Sequence, residues 1–394
     1  MALTTVSSDR LSTNVKNTNF TAAEKQDLTD DILPLAGQLG NRNLIINGAM
    51  QVAQRGTSSS ATGNQFLTLD RFRLTYNGQD EALTQEQADV ASGTTPYSLG
   101  FRKCFKLTNG NQTSGAGATD YARIGYAIEA RDLATSGWNY TSASSYLTFS
   151  FWIKSSVAQS FKVDFYAECG SNPAQDYSID TGSLSADTWT KVTKTIPGNS
   201  NLTFVNTTVE GLHIRFLPFF GTDYTNNSVT ENAWGAYSSS ARTKDNTSTW
   251  WTTNDATFEI TGVQLEVGSV ATEFEHRSFD QELQSCFRYC QVFDSVDGEY
   301  NRFAYANAAS GSSIRVIFPL MREMRAKPSV AFSGNFQCPG VGSFNISNVI
   351  MESNTGSRKV ACLQQGSVST TNHNTYQFNA NNDTSATVTY TAEL

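Results

Sequence analysis

The stretch Tyr146-Leu147-Thr148-Phe149-Ser150-Phe151-Trp152-Ile153 is dominated by aromatic and β-branched residues, which favour a strand with one face in a core. The stretches 161–166 and 212–216 alternate apolar and polar residues at period two, and residues 258–267 close the set. Gly, Asn, Ser and Thr turns separate these runs, without the long helical patterns that parallel sheets require. The pattern predicts an antiparallel jelly-roll sandwich over residues 43–276.

Strand patterns return in the last hundred residues or so. Residues 314–318, 329–332 and 386–391 alternate, with polar turns between them. They predict a second, smaller β-sandwich over residues 294–394, so the whole chain is expected to be all-β. The polar stretch 367–383 offers few core residues. Small β domains often complete their burial by forming oligomers, and we expect the same of this one.

The N-terminal segment, residues 1–42, differs from the rest. Thr21 and Glu24 have the spacing of a capping box, which predicts a short helix ending near Pro34. The segment is too small to bury a core of its own, so it is expected either to dock on another protein or to remain a frayed tail. The apolar residues available for docking are Leu28, Ile32 and Leu35.

A second helix is predicted over residues 277–293, between the two sandwiches. Ser278 and Gln281 form another capping box. The apolar residues that follow have the a/d spacing of a short coiled coil, and we expect them to form the neck of a parallel homotrimer. The alternative is a single helix that lies on its own domain. The residues of this stripe are Phe279, Leu283, Cys286 and Cys290.

Composition excludes several functions for this chain of 394 residues. Only 16% of the residues are charged, the net charge is −8 and no basic cluster occurs, which argues against nucleic-acid binding. No apolar run is long enough to enter a membrane as a spanning helix. The six cysteines are scattered and expected to be free, and the three histidines lie far apart. Without a recognisable catalytic motif, the sequence predicts no enzyme, metal or cofactor, although paired carboxylates could still meet in space.

Aromatic residues in loops are the clearest functional signal. The insertion 221–253 is rich in Tyr and Trp among small polar residues, and such rings can pack on the apolar faces of sugars. Because charge is sparse, we expect recognition of neutral sugars. Trp250 and Trp251 adjoin a strand, so the alternative places them in the core. The candidate glycan contacts are Tyr224, Trp234 and Tyr237 in this insertion and Tyr376 and Phe378 in the distal domain.

Three sequence blocks resemble a domain that is widespread in tail and fibre proteins of tailed phages. The first is NRNLIINGAMQVAQRG at residues 41–56, followed by LDRF at 69–72. The second is LTFSFWIKSS at 147–156, and the third begins with TGVQLEVG at 261–268. A fourth stretch, MRAKP at 324–328, is similar to a strand of the distal domains of such fibres. Within this group, the blocks resemble those of cyanophage fibres.

This resemblance implies a virion tail-fibre protein that is usually trimeric. Its N-terminus would dock on a tail or baseplate protein, and it would mediate attachment to a host-surface glycan or lipopolysaccharide. The large domain would be a jelly roll like that of carbohydrate-binding modules. The alternatives are a purely structural tail or decoration protein and, less in keeping with the absence of repeats, a tail spike that degrades polysaccharide.

The resemblance also bears on calcium. The similar modules hold a structural calcium between acidic residues of the first and last strands. This chain has Gln51 and Gly262 where those modules carry acidic ligands. Neutral groups offer no charge to a hard divalent cation, so we expect this domain to fold without calcium.

Overall fold

The structure of the chain is a computed structural model. It describes residues 42–61, 66–170, 172–344, 349–351, 357–366, 368–371 and 373–394, and Asn43–Leu394 form one unit. The predicted N-terminal helix, with Leu28, Ile32 and Leu35, lies outside the described residues.

The first part of this unit is a sandwich of two six-stranded antiparallel sheets. One sheet has the strand order β1-β3-β4-β12-β6-β9 and the other the order β11-β8-β7-β10-β5-β2. The strands are β1 (Ser58–Ser59), β2 (Arg73–Asn77), β3 (Thr84–Asp89), β4 (Lys103–Thr108), β5 (Tyr121–Glu129), β6 (Tyr146–Ser155), β7 (Lys162–Ala167), β8 (Gln175–Asp180), β9 (Thr190–Pro197), β10 (Glu210–Phe220), β11 (Trp234–Ala236) and β12 (Thr257–Val267).

Aromatic side chains fill the space between these two sheets. Phe149 and Phe151 of β6 meet Phe216 of β10, with ring centroids 5.9 and 5.0 Å apart. All three are fully buried, as the alternation of their strands predicts. Trp250 and Trp251 are also fully buried, so the structure places them in the core rather than on a binding surface.

The described helices are short. Helix α4 begins with the predicted capping box, in which the Gln281 amide donates to Ser278 Oγ at 3.3 Å and the Ser278 amide donates to Gln281 Oε1 at 3.0 Å. The helices are α1 (Thr95–Ser98), α2 (Ala130–Ala134), α3 (Thr249–Thr252) and α4 (Phe279–Cys286).

The predicted neck stripe does not form one helical face. Helix α4 ends at Cys286, and Cys290 opens a strand that pairs with Thr391. Cys286 and Cys290 are fully buried within their own chain, whereas Phe279 is 55% exposed and Leu283 is partly buried. The prediction of a coiled-coil seam is therefore wrong for both cysteines, because the chain turns after two helical turns and packs them inside. The homotrimer itself stays a prediction.

The C-terminal part of the unit is the smaller sandwich that the sequence predicts. A three-stranded sheet has the order β13-β22-β16, and a seven-stranded sheet has the order β18-β17-β21-β14-β15-β20-β19. The strands are β13 (Cys290–Asp294), β14 (Arg302–Ser310), β15 (Ser313–Pro319), β16 (Ser329–Ser333), β17 (Phe336–Cys338), β18 (Gly342–Phe344), β19 (Val349–Met351), β20 (Val360–Gly366), β21 (Thr375–Ala380) and β22 (Thr387–Thr391).

This smaller sandwich has a well-developed core of its own. Phe336 and Phe378 stack with centroids 5.2 Å apart and an interplanar angle of 9°, and Phe318 packs on Tyr390 at 5.7 Å. All four side chains are buried. The expectation of a thin core was therefore wrong, because residues outside the polar stretch supply enough aromatic rings.

Two asparagines of the first sequence block connect it to the last block. Asn43 Oδ1 accepts hydrogen bonds from the amides of Ile45 and Leu265, both at 3.0 Å. The Asn47 amide donates to Glu282 Oε2 at 2.6 Å, on helix α4. Both asparagines are buried. The first sequence block therefore has a structural role, because its two asparagines join it to β12 and α4.

A buried polar junction joins the two sandwiches. Arg71, which is only 1% exposed, pairs with Glu393 at 2.5 Å, and its guanidinium lies 3.5 Å from the ring centre of Tyr289. Arg325 donates to the carbonyls of Thr208 and Glu393, both at 2.8 Å. Charged hydrogen bonds of this kind hold defined geometry, so the two sandwiches form a continuous structure.

Candidate functional site

One face of the β11-β8-β7-β10-β5-β2 sheet is polar. Leu212, Ile214 and Phe216 of β10 point into the core, so His213 and Arg215 point outward. The same alternation sends charged and aromatic side chains outward from the neighbouring strands. We call this surface the polar face; its main residues are Arg123 of β5, Asp164 and Tyr166 of β7, Asp176 and Ser178 of β8, and His213 and Arg215 of β10.

An arginine and two aspartates form the centre of the polar face. Arg215 Nε donates to Asp164 Oδ1 at 2.8 Å, and its terminal nitrogen lies 2.6 Å from Asp164 Oδ2. The same nitrogen reaches Asp176 Oδ1 at 3.5 Å. Burial, and then the negative charge of Asp164, raise the pKa of Asp176 to about 8. Asp164 is therefore the main partner of Arg215, whereas Asp176, with its raised pKa, carries a proton at neutral pH.

A cavity of about 220 Å³ adjoins these aspartates, under the loop that follows β10. Asp176 and Ser178 line it, as does Arg242 of the loop. Asp176 is 7% exposed and Ser178 2%, yet Asp176 Oδ2 and Ser178 Oγ have no hydrogen-bond partner among the described residues. Arg242 Nε is likewise buried without a hydrogen-bond partner among the described residues. Unsatisfied buried polar atoms cost about 1–3 kcal/mol each, so a polar group that entered this cavity would find hydrogen-bond partners there.

Backbone pairing holds the loop over this cavity. The Asn232 amide donates to the carbonyl of Ser178 at 2.8 Å, and the Tyr237 amide donates to the carbonyl of Ala174 at 2.9 Å. Between them β11 pairs with β8. Lys162 of β7 also binds Glu231 of the loop at 2.5 Å. The cavity wall is therefore fixed by the sheet beneath it.

Aromatic rings cover the rest of the polar face. Tyr166 meets Tyr237 edge-on, with centroids 4.9 Å apart, and the guanidinium of Arg215 lies 5.1 Å from the ring centre of Tyr166. Tyr224 packs on Phe220 at 5.3 Å. These rings give the face apolar surface beside its charged groups, and this combination suits a sugar, which has both apolar CH groups and hydroxyls.

A second cleft, of about 190 Å³, lies across the polar face from the loop cavity. Arg123, His213 and Arg215 line it, together with Glu168 and Glu210. The Tyr166 hydroxyl donates to Glu168 at 2.7 Å, and the His213 ring lies 2.9 Å from Glu210. The contact with His213 is the main reason that the pKa of Glu210 lies below its ordinary value.

The predicted glycan contacts of the large loop fall in different surroundings. Tyr224 and Tyr237 are half-buried on the polar face. Trp234 is half-buried at the sheet edge, where its indole nitrogen donates to the carbonyl of Pro197 at 2.7 Å and its ring packs on Tyr177 at 5.2 Å. Trp234 therefore mainly closes the core of the first sandwich.

The two candidate glycan contacts of the distal domain also differ in their exposure. Tyr376 is half-buried, and its hydroxyl accepts a hydrogen bond from the Thr371 amide at 3.1 Å. Phe378 is fully buried in the distal core, against Phe336. Phe378 is therefore wrong as a surface contact, because the period of β21 turns it inward.

The sequence analysis missed the charged residues of the polar face. Their signal was present in the alternation of the stretches 161–166 and 212–216, where Asp164 and Arg215 occupy the positions between core residues. Alternation alone could not show that these side chains are adjacent, because the pairing of β7 with β10 sets that register.

The described residues contain no group of three or more His, Cys, Asp or Glu side chains placed to hold a metal ion. Among the same residues, none of the helices is both long and apolar enough to cross a membrane. The calcium prediction stays untested. Gly262 has a φ of 60° at a bulge of β12, and a Cβ there would lie 2.7 Å from the ring of Phe101, so the position requires glycine.

Comparison with known proteins gives structural similarities only. No family model matches the chain, and no curated protein matches it. The enzymatically active domain of tailspike protein 4 from bacteriophage CBA120 is 11% identical with a TM-score of 0.31, over 58% of this chain and 22% of that one. This chain thus spans about a fifth of that tailspike structure.

Carbohydrate-binding modules are also similar. The family 11 module of the cellulase Lic26A-Cel5E from Clostridium thermocellum is 14% identical with a TM-score of 0.24, over 56% of this chain and all of that one. The CBM22-2 xylan-binding domain of Paenibacillus barcinonensis Xyn10C is 13% identical with a TM-score of 0.25, over 50% of this chain and 91% of that one. Similarity at this level carries no inference about function, which has to come from the geometry of the polar face.

Proposed function

We propose that this chain is a receptor-binding protein of a tailed phage and that it binds carbohydrate on the polar face of its first sandwich. The observation that carries the carbohydrate site is the pair of buried, unpartnered atoms Asp176 Oδ2 and Ser178 Oγ in the cavity of about 220 Å³. A sugar hydroxyl both donates and accepts hydrogen bonds. It would satisfy these atoms at the cost of little conformational change.

The chemistry of the cavity suits a hydroxylated ligand. Asp176, protonated at neutral pH, can donate as well as accept, and so can the Ser178 hydroxyl. Arg242 of the cavity lining donates to the Tyr237 hydroxyl at 3.0 Å and lies 5.7 Å from the ring centre of Tyr224, so both rings are near the cavity and can pack on the CH groups of a pyranose. Polar groups fix the orientation of a bound sugar, while the rings supply apolar contact.

The role in a virion rests on the sequence resemblance. The blocks at residues 41–56, 147–156 and 261–268 support a tail fibre, with residues 1–42 docking on a tail or baseplate protein and the assembled protein forming a homotrimer. The ligand in that setting is a glycan or lipopolysaccharide of the host surface.

We further propose that the site binds carbohydrate without cleaving it. Most glycosidases use two carboxyl groups with different protonation states as their catalytic residues. Here Asp164 is fully buried and both of its oxygens lie within ion-pair distance of Arg215. A carboxylate held in this way is not free to act as a base or nucleophile. Sustained release of reducing ends from a bound polysaccharide would contradict this part of the proposal.

The experiment uses the full chain and a glycan array, with alanine variants of single tyrosines. Tyr237→Ala and Tyr224→Ala should each weaken binding by about two- to tenfold, since an aromatic contact contributes roughly 0.5–1.5 kcal/mol. Tyr376→Ala, in the distal domain, is the matched control and should bind as the unaltered protein does. Loss of binding in Tyr376→Ala alone would move the site to the distal domain. Binding of no glycan by the unaltered protein would contradict the proposed site altogether.

A further inference from the structure

Arg123 is an arginine of the polar face that has no carboxylate partner in the part of the chain that the structure describes. It projects from β5, and its guanidinium lies 5.6 Å from the ring centre of Tyr121. Among the described residues, no Asp or Glu oxygen lies within ion-pair distance of it. Arg215 and Arg288, by contrast, each pair with a buried carboxylate at 2.6 Å. Arg123 therefore presents an unneutralised charge to the cleft of about 190 Å³ that it lines.

The positive charges nearest to Arg123 make its charged form less favourable. Burial, and then the positive charge of Arg215, lower the pKa of Arg123 to about 10, and Arg242 acts in the same direction. Arg242 donates to the Tyr237 hydroxyl at 3.0 Å and likewise has no carboxylate at ion-pair distance among the described residues. Asp164 attracts Arg123 only weakly, because Arg215 holds both of its oxygens.

The other acidic groups of this region are already engaged. Glu210 contacts His213 at 2.9 Å, and Glu168 accepts a hydrogen bond from the Tyr166 hydroxyl at 2.7 Å. Asp176 carries a proton at neutral pH, since its pKa is raised to about 8. The carboxylates that line the cleft therefore have contacts of their own, and none of them pairs with Arg123.

An anionic ligand would supply the ion-pair partner that Arg123 lacks among the described residues. A guanidinium binds a planar carboxylate, a sulfate or a phosphate through two parallel hydrogen bonds, and such charge-assisted pairs are about twice as strong as neutral ones. The partial burial of Arg123 strengthens the attraction, because the local dielectric constant is lower than that of water. The cost of holding three arginines close together is then offset when the ligand is present.

We propose that the carbohydrate recognised by the polar face is acidic, and that a carboxylate, sulfate or phosphate of the sugar binds Arg123 in the cleft. This inference rests on the proposed function, since it specifies the ligand of the same face. It replaces the expectation of neutral sugars, which came from the low overall content of charged residues. Overall composition does not report which charged side chains of one sheet lack a partner.

The test is an array of paired oligosaccharides that differ only in charge. Each pair contains an acidic member, such as an oligogalacturonate or a sulfated oligosaccharide, and its neutral counterpart, methyl-esterified or desulfated. The full chain should bind acidic members at least about tenfold more tightly than their neutral counterparts, and Arg123→Gln should lose that preference. Arg123→Lys, which keeps the charge but not the planar fork, should retain part of it.

Arg102→Gln is the control for a general effect of charge. Arg102 is exposed just before β4, in the other sheet, and the substitution changes the net charge by the same amount. It should leave the preference intact. The melting temperature of Arg123→Gln should not fall, because Arg123 has no ion-pair partner to lose. Loss of binding in Arg102→Gln equal to that in Arg123→Gln would overturn the assignment of the anion to Arg123.

The remaining outcomes separate this inference from the proposed function. Equal binding of neutral and acidic members, with Arg123→Gln unaffected, would overturn the acidic ligand and leave carbohydrate binding in place. Absence of binding to every member would overturn both. As an independent measurement, raising the NaCl concentration from about 50 to about 500 mM should weaken binding of the acidic members far more than that of any neutral member.

Discussion

Arg288, two residues beyond the end of helix α4, binds Glu129 at the end of β5 through two hydrogen bonds, of 2.6 and 2.7 Å. Glu129 is fully buried, and the Tyr289 hydroxyl adds a third hydrogen bond at 2.7 Å. Burial alone would raise the pKa of Glu129, but the hydrogen bonds from Arg288 and Tyr289 outweigh it and hold the pKa below its ordinary value. The strand that carries Arg123 is thereby fixed to the segment that leads into the distal sandwich.

We expect Glu129→Gln to weaken this junction strongly. Removing one partner of a buried ion pair leaves an uncompensated charge and costs about 3–5 kcal/mol of unfolding free energy. The loss should appear in denaturant titration as a lower midpoint or as two separate transitions, one for each sandwich.

The matched control for this prediction is Glu323→Gln. Glu323 pairs with Arg358 and Lys359 at the surface, and exposed pairs contribute only about 0–1 kcal/mol. Similar losses in both variants would show that the junction does not depend on the Glu129–Arg288 pair.

The assembly prediction can be tested apart from the incorrect coiled-coil seam. We expect light scattering to give three times the chain mass. Phe279, 55% exposed on α4, is the most exposed member of the predicted stripe, so Phe279→Ser should lower that mass if α4 lies at the trimer axis. Tyr300→Ser is the control, since Tyr300 is 54% exposed elsewhere. A monomer mass for the unaltered protein at micromolar concentration would contradict the trimer.

The strands and the capped helix were predictable because each depends on local periodicity. The alternation of Leu212, Ile214 and Phe216 defines a buried face without knowledge of the partner strand. The end of α4 was not predictable in the same way. The spacing of Cys286 and Cys290 fits a helix, but tertiary pairing of Cys290 with Thr391 prevails over it.

The binding site was harder to predict from the sequence than the fold was. Tyr224 and Tyr237 could be chosen because they are aromatic residues in a long loop. Arg123, Asp176 and Ser178 could not, because their significance depends on which partners they lack. Whether a buried group lacks a partner depends on how the strands are arranged in the folded protein, so no single segment of the sequence can show it.

Stability should depend on pH through Asp176. Folding raises its pKa from 3.8 to about 8, so the folded state binds the proton more tightly than the unfolded state. The resulting stabilisation is complete below about pH 4 and is lost as the pH rises to about 8, at up to about 1.4 kcal/mol per pH unit. Asp176→Asn should flatten this slope in denaturant titrations. The exposed control Asp297→Asn should keep it; an unchanged slope in Asp176→Asn would show that Asp176 is ionised in the folded protein.

Ser178→Ala should separate binding from stability. The Ser178 hydroxyl is buried without a partner among the described residues, so its removal takes away a cost of about 1–3 kcal/mol, and the melting temperature should stay the same or rise. If the cavity receives a sugar hydroxyl, the same change should weaken carbohydrate binding by about tenfold, because the ligand loses a hydrogen bond. The exposed control Ser185→Ala should change neither quantity. A lower melting temperature with unchanged affinity would mean that Ser178 serves the fold alone, since a purely structural hydroxyl affects stability and leaves the ligand untouched.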